Sequence, residues 1–524
     1  LVPVPAVPDI EVGSWRLVQA ALRATVPIYG YEDNWVCDTP PPPSPGTGGV
    51  GFIRDPDGGG TSTEPDVIAQ DVVGAFEYVI LQGGSSETVM QWLSQNGYAG
   101  APDAPAILDE YIAEGSVFVA FRLNHGQGVE DIHPVVIRYP GTEPCIPLRL
   151  TRVAAEEDMD IRALFLGESR VVPTNFRHVL LNRTRLNWLG FGSNYIDLVT
   201  NAVDAPGADG RAFVTEYAGG SDVVDTTALD TTLYLSSAFE GLPVVDVIQT
   251  LEAQQLLSCT PGGCNWSHEL ISSLVHEFLP VPPNIDEGEF YSCLSCFAGL
   301  IDAEAWDEAD FIAAYNERIV APMQHAEDLL ETWPYLTRLY TRISPDEMTN
   351  DPMFAENDAL DDVAARNGAE RQQDCCGNAM RLPGGRMVWL DATTGGWPAW
   401  ADTMPWAEIV EEFAPTGGPP IVLTDATAAI DGLLQQWNAA NACSNGGDTD
   451  GEDTTVSGGG NSGGGGGTVS GGGDGGTSGG GASGGQMDGG TDSCACTSQP
   501  QGGRSWMLLV LGLGLAAARR RRQA

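Results

Sequence analysis

The chain predicts an α+β fold: a largely antiparallel sheet with packed helices, then a mainly helical region. Three observations carry that prediction. Apolar runs such as Phe76–Gln82 alternate with the period of a half-buried strand. Short segments of helical period, each stopped by a glycine, stand between such runs. Tight turns replace the long crossovers that parallel strands would need.

Residues 1–64 are expected to be irregular, because Pro40–Pro43 and Gly58–Gly60 punctuate them. FEYVILQ then reads as a strand. Val89, Met90, Trp92 and Leu93 follow at helical spacing, with Gly97 placed to stop the helix. Asp103 and Pro105 open a second helix as cap and early-turn residue, Ile107, Leu108, Tyr111 and Ile112 line its apolar face, and Gly115 closes it. SVFVAFRL, HPVVIRYP and CIPLRLTRVAA are read as further strands. From Ser221 the pattern turns helical. Pro243 starts a helix with Val244, Val247, Ile248 and Leu251 on one face, and a helical tract covers 303–342 with breaks at Pro322 and Pro334. RLPGGRMVWLD reads as a hairpin, and IVLTDATAAIDGLLQQW as a strand and a closing helix. Beyond Cys443 the composition collapses to Gly, Ser, Thr and Asp, which cannot bury enough apolar surface to offset ordering entropy. The expected organisation is therefore an irregular segment 1–64, an α+β domain 65–220, a mainly helical cysteine-containing region 221–443, a disordered tether 444–492 and a tail 493–524.

The formal charge is −46, from 71 acidic and 25 basic residues. Every basic residue is arginine. Such a surface repels nucleic acid and anionic headgroups, so neither is expected as a partner.

The tail, SCACTSQPQGGRSWMLLVLGLGLAAARRRRQA, holds an apolar run of 13 residues from Trp506 to Ala518. As a helix that run would be roughly 20 Å long, against about 30 Å of bilayer hydrocarbon. Gly512 and Gly514 weaken it further, and Arg519, Arg520, Arg521 and Arg522 resist crossing a membrane. The cysteine pair Cys494 and Cys496, the short apolar helix and the arginine cluster together resemble the MYXO-CTERM sorting tail of exported myxobacterial proteins. The resemblance implies export, transient membrane insertion, cleavage near one of the two cysteines by a sortase-like protease, and display on the cell surface or outer membrane. The expected partners are that protease, the membrane through the tail, and an envelope protein or glycan. The chain opens on Leu1 with no export signal in view, so an upstream segment is expected.

In an exported chain the cysteines read first as disulfides. Cys259, Cys264, Cys293, Cys296, Cys375 and Cys376 are the candidates, with at least one bond among the first four. Cys259-x4-Cys264 with Cys293-x2-Cys296 also has the spacing of a zinc site, and the second pair that of a redox motif without the matching βαβ context. Cys375 and Cys376 are adjacent, so each is expected to bond a distant partner.

A second resemblance lies in FEYVILQGGSSETVMQWLSQNGY, ILDEYIAEGSVFVAFRL, HPVVIRYP and CIPLRLTRVAAEEDMDIRALFLG. Residues 65–220 are similar to the bacterial domain-of-unknown-function family 2330. This implies an exported bacterial protein and brings no activity with it.

Catalytic motifs fail on context. G-x-S-x-G at 476–480 and 481–485 falls in the tether, with no strand before it and no helix after it. His268-Glu269 begins a zincin-like pattern, but Ser272 stands where the second histidine belongs, and His276 is too far along. Glu156, Glu157, Asp158 and Asp160 read as a solvated turn, and Asp448, Asp450, Glu452 and Asp453 lack the spacing of a calcium loop. No catalytic, cofactor-binding or metal residue is predicted. The sequence therefore points to a binding or structural protein of the envelope, with a secreted hydrolase or thiol redox enzyme as the rival.

Overall fold

The computed structural model describes residues 1–35, 66–98, 104–123, 132–141, 144–302, 304–374, 377–442 and 509–510. The α+β reading holds. A six-stranded sheet runs in the order Ile421–Asp425, Ala407–Glu412, Arg177–Leu181, Ala212–Gly220, Tyr335–Ile343, Met159–Gly167. It is antiparallel apart from the parallel pair Arg177–Leu181 and Ala212–Gly220. Strands from both sides of the expected 220/221 boundary thus share one sheet.

A four-stranded sheet places Phe76–Gln82 between Asp66–Val73 and Val117–Leu123, with Val2–Val4 at the far edge. Its helices form as their sequences dictate. Ser85 accepts from the backbone of Thr88, whose hydroxyl accepts in return from Ser85 N, capping the helix Ser86–Gln95. Gly97 and Gly115 end the two helices at φ 78° and 84°. Val89, Leu93, Ile107, Leu108 and Tyr111 are buried between helices and sheet.

Four expectations need correction. The segment 1–64 is not irregular throughout: it carries the strands Val2–Val4, Asp9–Val12 and Ile28–Trp35 and the helix Trp15–Thr25. Their partners, such as Val117–Leu123 and Arg366–Asp374, lie far along the chain, where local pattern cannot reveal them. CIPLRLTRVAA holds a short helix, Leu148–Thr151, rather than a strand, because Pro147 starts it and Arg149 turns inward to a buried carboxylate. The tract 303–342 resolves into Glu308–Tyr315, a π-turn Asn316–Val320 and Ala321–Thr332, followed by a strand from Tyr335. Pro322 sits in the first turn of its helix, where its missing N–H costs nothing. Region 221–443 is helical to Thr332 apart from the hairpin Leu257–Thr260/Gly263–Trp266, and then mostly strands, since 335–425 completes the large sheet and a second four-stranded sheet.

That second sheet runs Met387–Trp389, Gly377–Arg381, Arg366–Asp374, Ile28–Trp35, the last pair being parallel. The expected hairpin is there, turning at Gly384 and Gly385, both at φ 91°. The closing strand and the helix Thr427–Asn441 follow as read. Of the apolar tail helix, only Leu509–Val510 is described, as a strand pair against Val135–Arg138. The tether, Cys375, Cys376, Cys494, Cys496 and Arg519–Arg522 lie outside the described residues.

Candidate functional site

Three constellations carry chemistry, and they differ in what can reach them. The first is the pair of cysteine loops. Cys259 and Cys264 face each other across the hairpin Leu257–Thr260/Gly263–Trp266 and are disulfide-bonded, with Cα atoms 4.1 Å apart. Cys293 and Cys296 form a second bond at 5.3 Å. The two loops are packed together through Gly288. A Cβ at that position would lie 2.4 Å from Gly263 N and 2.5 Å from Thr260 O, so only glycine lets the helix Glu287–Ser292 approach the hairpin. Two closed bonds within the two pairs leave no thiolate set for zinc. Among the described residues no group of three or more His, Cys, Asp and Glu is placed to hold a metal. Cys145 is disulfide-bonded as well.

The second is a polar relay across the large sheet. His178 Nδ1 donates to Glu411 Oε1 at 2.8 Å, Thr215 Oγ donates to His178 Nε2 at 2.9 Å, and Arg170 Nη2 donates to Thr215 Oγ at 3.1 Å. Strand order builds it: His178 and Glu411 are register partners, and the Thr215 strand lies on the other side. Burial pulls the His178 pKa down, against the opposing influence of Glu411, so the imidazole is neutral. The connectivity is that of a hydroxyl–imidazole–carboxylate triad. The three side chains are nonetheless sealed, with Thr215 only 8% exposed. Two surface pockets lie elsewhere, one against Val4, Ile137 and Cys145, the other against Pro134, Pro322 and His325. A nucleophile needs a place for the reacting atom, and neither pocket opens onto this buried hydroxyl. The relay satisfies buried polar groups and locks three strands together.

A bulge beside it has a related role. The register shift between Thr215 and Tyr217 turns Glu216 onto the buried Arg338 guanidinium and Tyr195 Oη, the latter at 2.8 Å. Arg338 in turn donates to Leu22 O at 2.9 Å, which fastens the helix Trp15–Thr25 to the sheet.

The third constellation is open to solvent. The turn Gly190-Phe191-Gly192 lifts one aromatic ring off the surface: Phe191 is 64% exposed and has φ 53°. For a bulky residue that left-handed conformation is unfavourable and persists only when its surroundings impose it. They do. Asn187 Oδ1 accepts from Gly190 N at 2.9 Å, and Asn194 bridges Asn187 N at 2.7 Å and Arg185 O at 2.9 Å. Phe191 N donates to Trp188 O at 3.1 Å, and Gly192 N to Asn187 O at 2.9 Å. Beneath the turn, Trp188 is fully buried against Tyr29 in edge-on contact at 5.6 Å.

The Phe191 ring stacks on Tyr31, with centroids 5.6 Å apart and planes 14° apart. Next along the same sheet face, Arg371 lies 4.9 Å from the Tyr31 centroid and grips Asp33 with two bonds of 2.6 and 2.9 Å. Gln373 adds a bond to Asp33 at 3.1 Å. Parallel pairing brings these groups together, since Asp33 and Arg371 are register partners more than three hundred residues apart in the chain.

The sequence-predicted residues fare unevenly. Cys259, Cys264, Cys293 and Cys296 come together in two local pairs. His268 is buried, accepts from Leu270 N at 3.3 Å and precedes its helix, whereas His276 packs edge-on against Trp266 at the surface. Asp160 lies on the strand Met159–Gly167 rather than in the expected turn, and is occupied by Arg162 and Arg342. The relay and the aromatic turn were missed. Only Gly190-Phe191-Gly192 left a local trace, an aromatic between two glycines.

No curated protein and no solved structure matches the chain. A family described as an uncharacterized protein conserved in bacteria matches residues 1–261. That span reaches well beyond the 65–220 read from motifs. It takes in the amino-terminal helix and strands, the aromatic turn, and the first half of the disulfide hairpin. Residues 1–261 of the chain match the model of this bacterial family, DUF2330.

Proposed function

We propose that the chain is an exported protein displayed at the cell surface, where its folded body binds or braces another envelope component. The observation that supports this most is the pair of bonds Cys259–Cys264 and Cys293–Cys296. Disulfides of this kind persist in oxidising compartments and are rare in reducing ones. The order of parts agrees. The body closes with the helix Thr427–Asn441, and the glycine-rich stretch, the cysteine pair and the apolar-arginine tail follow.

On this reading a sortase-like protease removes Trp506–Ala524, and the mature chain ends near Cys494 or Cys496. Mass spectrometry of the native protein tests both parts. Alkylation without reductant should leave Cys259, Cys264, Cys293 and Cys296 unlabelled, and no peptide should end in Gln523-Ala524. Labelled thiols at those four positions, or an intact terminal peptide in the mature protein, would refute the proposal.

The redox rival rests on the surface position of Cys296. Cys293, however, caps the carboxyl end of the helix Glu287–Ser292. It is at the same time the N-cap of the short 3-10 helix Leu294–Leu300, so two opposed helix ends meet at this residue and give no net activation of a thiolate.

A further inference from the structure

Most of the large aromatic side chains of this protein are buried or half-buried, and Phe191 stands apart as a ring held out into water. The turn that holds it is rigid for reasons unrelated to the core. Five backbone and side-chain hydrogen bonds pin it from below, and Gly192 at φ 76° lets it settle on Tyr29, 2.7 Å from where a Cβ would be. A left-handed phenylalanine is strained. Exposing its ring forgoes the burial that would offset this. An asparagine would suit the same backbone better. The side chain is therefore retained for its outward face.

That face has a particular chemistry. One side of the ring is backed by Tyr31, which fixes its plane, and the other is open. A flat ring with no surrounding pocket suits a flat ligand with an apolar face. Beyond Tyr31 on the same sheet face stand Asp33, Arg371 and Gln373, hydrogen-bonded to one another. Hydroxyl groups, which both donate and accept, suit such a polar neighbourhood. With a formal charge of −46, polyanions are repelled. A pyranose presents a C–H face for stacking and a ring of hydroxyls at its edge, without charge.

We propose that Phe191, backed by Tyr31 and with Asp33, Arg371 and Gln373 beyond it on the same sheet face, is a binding platform for neutral pyranose units of an envelope glycan. The proposal rests on the surface-display reading for its target and on the geometry alone for its ligand class.

The test is calorimetric titration of the purified full chain with chitohexaose, cellohexaose and maltohexaose. A shallow platform should bind at least one with Kd on the order of 10⁻⁴ to 10⁻³ M. Phe191→Asn should weaken that binding at least about tenfold while the melting temperature is unchanged or higher, because asparagine accepts the left-handed backbone. Arg371→Met should weaken binding by a smaller factor. Leu235→Asn, at another exposed apolar side chain, should leave binding intact. Equal binding by Phe191→Asn, or no binding of any of the three sugars up to about 10 mM, overturns the proposal. Phe191-dependent binding of a proline-rich peptide in place of the sugars overturns the ligand class. The titration uses purified protein, so its outcome is independent of where the chain resides; the export reading stands or falls on the mature-terminus mass.

Discussion

The large sheet and the helical stretch 221–332 are held together in contrasting ways. The sheet recruits strands from four distant parts of the chain and closes its joints with buried charge. Arg149 reaches Asp351 across 202 residues, His178 reaches Glu411 across 233, and Arg338 reaches Leu22 across 316. The helical stretch packs largely on itself, with Val12, Val73 and Phe76 joining its cluster. Phe239, Phe278, Phe290, Phe311 and Tyr315 fill one apolar cluster, and its disulfides span 5 and 3 residues. A long-range joint needs direction as well as attraction, and hydrogen bonds from buried polar and charged side chains supply direction at the expense of desolvation. Local packing has its geometry set by the helices and needs only volume.

Substitutions can break this contrast. The largest effects are expected where each region concentrates its strategy. Asp351 is fully buried and accepts from Arg149 N, Arg149 Nε and Tyr111 Oη at 2.8–2.9 Å. Asp351→Ala leaves Arg149 N, Arg149 Nε and Tyr111 Oη without their buried acceptor, although Glu114 still holds the guanidinium, and should cost about 3–5 kcal/mol in urea unfolding. Phe311→Ala, in the helical stretch, removes a buried ring 5.1 Å from Phe239 and 5.5 Å from Phe278 and should cost about as much, about 3–5 kcal/mol. The two are told apart by Asp351→Asn and Phe311→Leu. The former should recover little, because charge is lost, and the latter much, because volume is kept. Equal recovery by both would erase the distinction.

Acid should act next, through histidines held neutral. Burial lowers the His268 pKa from 6.5 to about 4, against the opposing influence of Glu269. The folded state thus binds fewer protons than the unfolded chain in that window. Stability is present above pH 6.5 and falls as pH drops toward 4, by about 3 kcal/mol for this group. His178 and His133 shift in the same direction, both chiefly by desolvation. Urea midpoints at pH 7 and pH 4.5 measure the loss, and His268→Asn should flatten it in part. A midpoint that does not move with pH would contradict a neutral buried His268.

The disulfides come third. Each closes a very short loop, so opening one should cost no more than about 2 kcal/mol. Cys293→Ser/Cys296→Ser and Cys259→Ser/Cys264→Ser, compared by thermal melting, should leave the large sheet folded. Loss of the whole fold in either double variant would show that the loops brace more than their own region. The smallest effect sharpens the rule for exposed charge. Glu110 also contacts Arg149, but its side chain is 56% exposed. Glu110→Ala should cost less than about 1 kcal/mol, and a loss rivalling Asp351→Ala would mean burial does not govern these pairs.

Legibility follows the same division. The helices Ser86–Gln95 and Ala104–Ala113, the strand Phe76–Gln82 and the hairpin at Gly384-Gly385 could all be read, because caps, glycine stops and apolar period are local. The two short disulfides were anticipated as at least one bond among four cysteines, because loop spacing is local too. The strand Ile28–Trp35 could not be read, since its partner begins at Arg366 and the intervening proline-rich stretch dominates the pattern. CIPLRLTRVAA misled because an apolar run reads equally as strand or buried helix, and Asp351 decided between them.

The candidate site divides in the same way. By itself the sequence determined the α+β class, the local elements and the acidic, lysine-free composition, since each is a property of neighbouring residues or of summed composition. Only the tertiary structure decided that Thr215, His178 and Glu411 form a sealed relay, and that Tyr31, Asp33 and Arg371 stand beside Phe191. Strand pairing joins residues hundreds of positions apart, and register sets which side chains meet. Neither is encoded in any short stretch of chain, because both follow from the closure of the whole core.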